Sequence, residues 1–146
     1  MREIKFRGKR RDSGEWVRGK LLLVQDDGSE IPFIVPSGEE ILCGLMIFKK
    51  EPLIMGSNII SVHPDTVGQF TGLRDRNGIE IYDGDIVTIL EPDLPAEVKW
   101  NEREATYEVL YPEGFPKPSE LYLWAKYCEV IGNIHDNPEL LKIGGD

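Results

Sequence analysis

The run DTVGQFTGLRDRNGIEIYDGDIV, residues 65–87, decides the fold. Within it, Asp75-Arg76-Asn77-Gly78 sets Asn-Gly between two apolar stretches. This is a strong hairpin signal, because both residues accept positive φ. Asp83-Gly84-Asp85 makes a second tight reversal that feeds Ile86-Val87. Gly68, Gly72, Gly78 and Gly84 fall where the chain must reverse or where backbones approach closely. Val67, Phe70, Leu73, Ile79, Ile81, Ile86 and Val87 supply apolar faces between those corners. The pattern describes a mainly β chain, folded as a small bent barrel of the SH3-like kind from short antiparallel strands.

The rest of the 146 residues follow the same punctuation, with 15 Gly and 10 Pro dividing the chain into short segments. Upstream, Glu3–Arg7 alternates, with Ile4 and Phe6 on one side and Lys5 and Arg7 on the other. After the turn at Lys9–Gly14 the chain returns as a strand over Trp16–Val24. Asp26-Asp27-Gly28 then turns it into Glu30–Val35. Residues 37–50 admit two readings: Ser37 and Glu40 have capping-box spacing and Ile41, Leu45 and Phe48 fall on one face, which favours a helix near 38–49, whereas Gly44 and the β-leaning run Leu45–Phe48 favour a strand. Further strands are expected at Ile59–Val62, Thr66–Phe70, Ile79–Tyr82, Asp85–Leu90, Ala96–Trp100, Thr106–Tyr111, Glu120–Ala125 and Glu129–Ile134. A short C-terminal helix follows, capped by Asn137 with Pro138 at its first position and pinned by Leu140 and Leu141. The chain reads as one domain over 1–146, with lobes 1–62 and 63–146 able to share one core.

Composition sets the class but supplies no chemistry. With 40% hydrophobic and 29% charged residues the chain is an ordinary globular protein, large enough to fold without disulfide staples. No stretch approaches the roughly 20 apolar residues of a membrane span, so no membrane partner is expected. The net charge of −9 is uneven: residues 1–24 hold eight Lys or Arg against three Asp or Glu. An acidic body disfavours non-specific phosphate binding. Cys43 and Cys128 are far apart in sequence and belong to no metal-ligand spacing; a disulfide requires their Cα atoms to come within about 7 Å, and two buried free thiols are the preferred reading. The charged stretch Met1–Arg11 lacks the apolar run of a signal peptide, so a cytoplasmic address is expected.

Tests for chemistry return little. Asp83 and Asp85, with His63 and Asp65 upstream, are the best oxygen-rich metal candidate, but turn chemistry already accounts for aspartates beside a glycine. His63 and His135 are the only histidines, and a loop hydrogen bond is the ordinary role for the second. There is no nucleophile elbow, phosphate loop or dinucleotide fingerprint. The expectation is therefore no catalytic residue, no metal and no cofactor. The remaining contact candidates are Arg7, Lys9, Arg10, Arg11 and Trp16, cations beside an aromatic at a hairpin tip. They could grip phosphates and stack a base, or meet the acidic strands of another copy.

The central run resembles the signature of the YopX-like family. So do the start, Arg2-Glu3-Ile4-Lys5-Phe6-Arg7-Gly8 leading to Trp16, and the end, Val130-Ile131-Gly132-Asn133-Ile134 with Asn137-Pro138-Glu139-Leu140-Leu141. The resemblance implies a small protein encoded by a bacterial virus or prophage, with no assigned activity and so no catalytic residues to carry over. The expected function is non-enzymatic binding in the host cytoplasm, by self-association or with another protein. Nucleic-acid binding through the hairpin tip is the alternative, and an oxygen-ligated metal hydrolase ranks last.

Overall fold

The computed structural model describes residues 3–37, 59–114 and 116–142. The helix expected near 38–49, Cys43, and the apolar residues Leu53, Ile54 and Met55 lie outside them. The chain is mainly β and divides into two compact units, 1–69 and 70–146. Among the described residues no helix is long and apolar enough to cross a membrane.

The first unit contains β1 (Phe6–Lys9), β2 (Trp16–Asp26), β3 (Ser29–Pro36), β4 (Ile60–Ser61) and the start of β5 (Gly68–Arg74). β1 pairs with β2, β2 with β3 and β3 with β4, all antiparallel. Beyond β4, Val62 bridges to Arg10, and Gly68 and Gln69 pair with Arg7 and Phe6. The sheet therefore curls until its last segment returns to its first strand. Such curvature needs close backbone approach at Gly19, where an added Cβ would lie 1.8 Å from the Val35 carbonyl oxygen. Ile34 and Val62 are fully buried, and Phe33 and Val35 nearly so. The expected alternation of β1 is corrected: Ile4 is exposed and precedes the strand, whereas Arg7 is only 4% exposed. Its guanidinium lies 4.6 Å from the Trp16 ring, so the side chain is buried by packing on an aromatic and not by facing an apolar core.

The second unit holds the rest of β5, then β6 (Glu80–Tyr82), β7 (Asp85–Thr88), β8 (Pro95–Asn101), β9 (Thr106–Leu110), β10 (Ser119–Glu120) and β11 (Glu129–Asn133). Five of these form a sheet in the order β10-β9-β8-β7-β11. Ile81, Val87, Ala96, Val98, Val109, Leu121 and Cys128 make its core. The strand expected at Glu120–Ala125 is corrected to a helix, α1 (Leu121–Trp124), followed by a 3-10 turn at Ala125–Tyr127. Helical spacing places Leu121 and Ala125 together in the core and leaves Tyr122 and Leu123 outside; strand alternation would have turned Leu123 to the same face as Leu121 and Ala125. The C-terminal helix is a 3-10 turn at Pro138–Leu141. Asn137 does not cap it: its Oδ1 accepts the Asn133 N–H at 3.3 Å instead.

The corners of this unit are closed by buried side-chain oxygens. Asp75 is 5% exposed, and its Oδ1 accepts the N–H groups of Asn77 (2.8 Å) and Ile79 (2.9 Å). Its Oδ2 accepts the Val130 N–H at 2.9 Å, 55 residues along the chain. Gly78, at φ +80°, completes the turn by donating to the Asp75 carbonyl at 3.0 Å. Asp85 is 1% exposed and accepts the Tyr82 N–H at 2.8 Å. Asn133 repeats the device, its Oδ1 accepting the N–H groups of His135 and Asp136, each at 2.9 Å.

Asp75→Ala would orphan three backbone donors and is expected to cost about 3 kcal/mol of stability. Asp75→Asn, which keeps one acceptor oxygen, is expected to cost less. Urea unfolding checks both, and a loss below about 1 kcal/mol for the alanine variant would contradict this account.

Candidate binding surfaces

The basic hairpin is built by the β1–β2 register, which sets Arg7 opposite Arg18 and Lys9 opposite Trp16. Alternation puts all four on one face of the sheet, with Lys20 further along it. The Lys9 ammonium lies 5.4 Å from the Trp16 ring, which also carries Arg7. Arg7, Lys9 and Trp16 thus come together, and Trp16 is half-buried against cations already in place. Arg10 and Arg11 stand apart in the turn. Arg10 grips Asp12 with two bonds, Nε to Oδ1 at 2.9 Å and Nη2 to Oδ2 at 2.8 Å, and holds that carboxyl down at about 2. Arg11 is exposed, with its backbone N–H donated to Ser61.

Charge separates the two units. Residues 1–69 hold ten Lys or Arg against ten Asp or Glu, and residues 70–146 hold seven against sixteen. All of the net −9 therefore belongs to the second unit.

The aspartates considered as ligands serve the backbone. Asp85 is committed to Tyr82, while Asp65 and His63 are exposed on the first unit. Burial raises the Glu97 carboxyl, Lys99 opposes the shift, and the half-buried Asp83 adds a smaller push in the same direction as burial. Among the described residues, no three His, Cys, Asp or Glu side chains are grouped to hold an ion. Cys128 is a free thiol inside the core. Burial first, and the Asp75 carboxylate second, push it up to about 11. That shift opposes the thiolate a nucleophile requires.

The second unit also carries an apolar groove of about 350 Å³, lined chiefly by Ile89, Leu90, Leu94, Tyr111, Pro116 and Trp124. Trp124 is oriented by its Nε1–H, which donates to Ser119 Oγ at 2.8 Å, and its ring meets Tyr127 edge-on at 6.5 Å. Leu90 is 73% exposed, and on α1 Tyr122 is 61% and Leu123 50% exposed. Sequence reasoning missed this groove because it read Glu120–Ala125 as extended. Leu121 and Ala125, at i and i+4, share a face in a strand as in a helix, so their spacing gave no distinguishing signal.

The family model described as YopX protein matches residues 5–142, nearly the whole chain. The chain belongs to the YopX family. A crystal structure of protein EF1440 from Enterococcus faecalis is similar over 97% of this chain and 100% of its own, with a TM-score of 0.56 and 23% identity. At that identity the likeness speaks to the fold alone. No curated protein matches. The signature glycines and aspartates of this YopX-family chain map onto the corners described above, where they accept or position backbone groups.

The raised thiol gives a direct check. Cys128 keeps its proton more tightly in the folded chain, so its contribution to stability is complete below about pH 9 and is lost as pH rises through about 11. In a Cys43→Ser background, Cys128 should resist a thiol reagent at pH 8 until the chain is unfolded. Rapid labelling of the folded protein would refute the burial argument.

Proposed function

We propose that this protein is a non-enzymatic accessory protein, of the kind bacterial viruses and prophages carry, that works by binding protein surfaces, copies of itself first among them. The observation that carries this reading is the apolar surface of the second unit. Its groove is lined by Ile89, Leu90, Leu94, Tyr111 and Trp124, and Leu90 is 73% exposed; Tyr122 and Leu123 on α1 are exposed as well. Exposed apolar surface is a common feature of protein contact sites. The disposition of charge supports self-association, since a basic hairpin in one copy complements an acidic unit in another.

Nucleic-acid binding is the second reading, favoured by the cationic face of β1 and β2. Weighing against it, Arg7 is buried, Arg10 is engaged by Asp12, and Trp16 is already stacked by cations.

Size-exclusion chromatography with light scattering, at tens of micromolar and low salt, is expected to give a mass above that of one chain. A strict monomer under those conditions counts decisively against self-association. Filter binding to a short oligonucleotide at about 50 mM salt separates the alternative. The expected result is weak retention that is gone by about 200 mM salt. Tight retention lost in Arg11→Glu with Arg18→Glu would favour the second reading instead.

A further inference from the structure

We propose that β2 pairs edge to edge with β2 of a second copy, antiparallel and centred on Leu23. This inference rests on the self-association reading and names its surface. β2 runs eleven residues from Trp16 to Asp26, but β1 pairs only with Trp16 through Gly19. Among the described residues, the β1-side edge of β2 from Lys20 to Asp26 has no partner strand. The segments before β1 do not extend it, since Glu3–Lys5 lie outside any strand.

The backbone of this edge points the right way. The two-residue turn Asp27-Gly28 closes on Asp26 and Ser29, which by hairpin geometry exchange both of their hydrogen bonds. Alternation then aims the N–H and C=O groups of Leu21, Leu23 and Gln25 at the open edge. Nothing protects it: between Leu21 and Gln25 there is no proline and no charge, and Leu23 is 51% exposed.

The side chains select the partner. The segment Lys20-Leu21-Leu22-Leu23-Val24-Gln25-Asp26 is complementary to itself when reversed. A two-fold axis through Leu23 pairs Leu22 with Val24 of the second copy and Lys20 with Asp26 of the second copy. Both ends of the ribbon then carry opposite charges, and the middle is apolar. Parallel pairing or a one-residue slip would lose those charge matches. This is an isologous contact, which closes as a dimer and does not propagate.

Charge exchange tests it on exposed residues that the fold does not need. Lys20→Glu turns two attractions into two repulsions, and should weaken self-association about tenfold or more in light scattering or analytical ultracentrifugation. Asp26→Lys should do the same, and an equimolar mixture of the two variants should recover the parental affinity as a heterodimer. Separately, Leu23→Cys in a Cys43→Ser background should form an interchain disulfide under mild oxidation. Its Cα atoms would be about 5.5 Å apart, within disulfide reach. If the parent associates but the charge variants do not weaken it and Leu23→Cys does not cross-link, this edge is wrong and self-association stands. A monomeric parent would sink both.

Discussion

The second unit depends on a carboxylate held inside a corner. Asp75 closes its own turn through Asn77 and Ile79, and the same group reaches Val130, so a local reversal and a long-range strand position are fixed together. The Arg76 N–H, donated to the Cys128 carbonyl, doubles that link. Water cannot substitute at so buried a site, and a longer acid could not reach all three donors from the same backbone. Asp85 and Asn133 apply the same solution at neighbouring turns. Asp85, which the sequence grouped with Asp83 as a metal candidate, is here one of the joints of a sheet.

Joints of this kind explain why so much of the fold is legible from the chain alone. Asn-Gly and Asp-Gly steps are local, and their chemistry announces a reversal wherever they occur. Most expected strands therefore appear within a few residues of their predicted ends. Features set by contacts distant in sequence were illegible. Arg7 is buried because the register brings Trp16 beside it, which no alternation rule shows. Residues Leu121–Trp124 are rich in strand formers, yet are helical, with Leu121 and Ala125 in the core and Leu123 outside it, a pattern strand alternation does not produce. The groove beside them followed from that choice.

The site reading divides the same way. The cations of the hairpin were visible as composition, but their partition was not: Arg7 and Lys9 gather at the Trp16 ring, while Arg10 and Arg11 remain in the turn. Among the described residues the joints leave two surfaces uncommitted, the long edge of β2 and the groove that Trp124 helps to line.

The Asn77-Gly78 turn carries a consequence for chemical lifetime. Asparagine followed by glycine ordinarily ages by attack of the glycine amide nitrogen on the asparagine side chain, releasing ammonia through a cyclic imide. Here that nitrogen donates its hydrogen to the Asp75 carbonyl at 3.0 Å, inside a turn whose geometry is pinned from both ends. The nucleophile is thereby engaged, so the folded state opposes the decay of the very pair of residues that announces its shape.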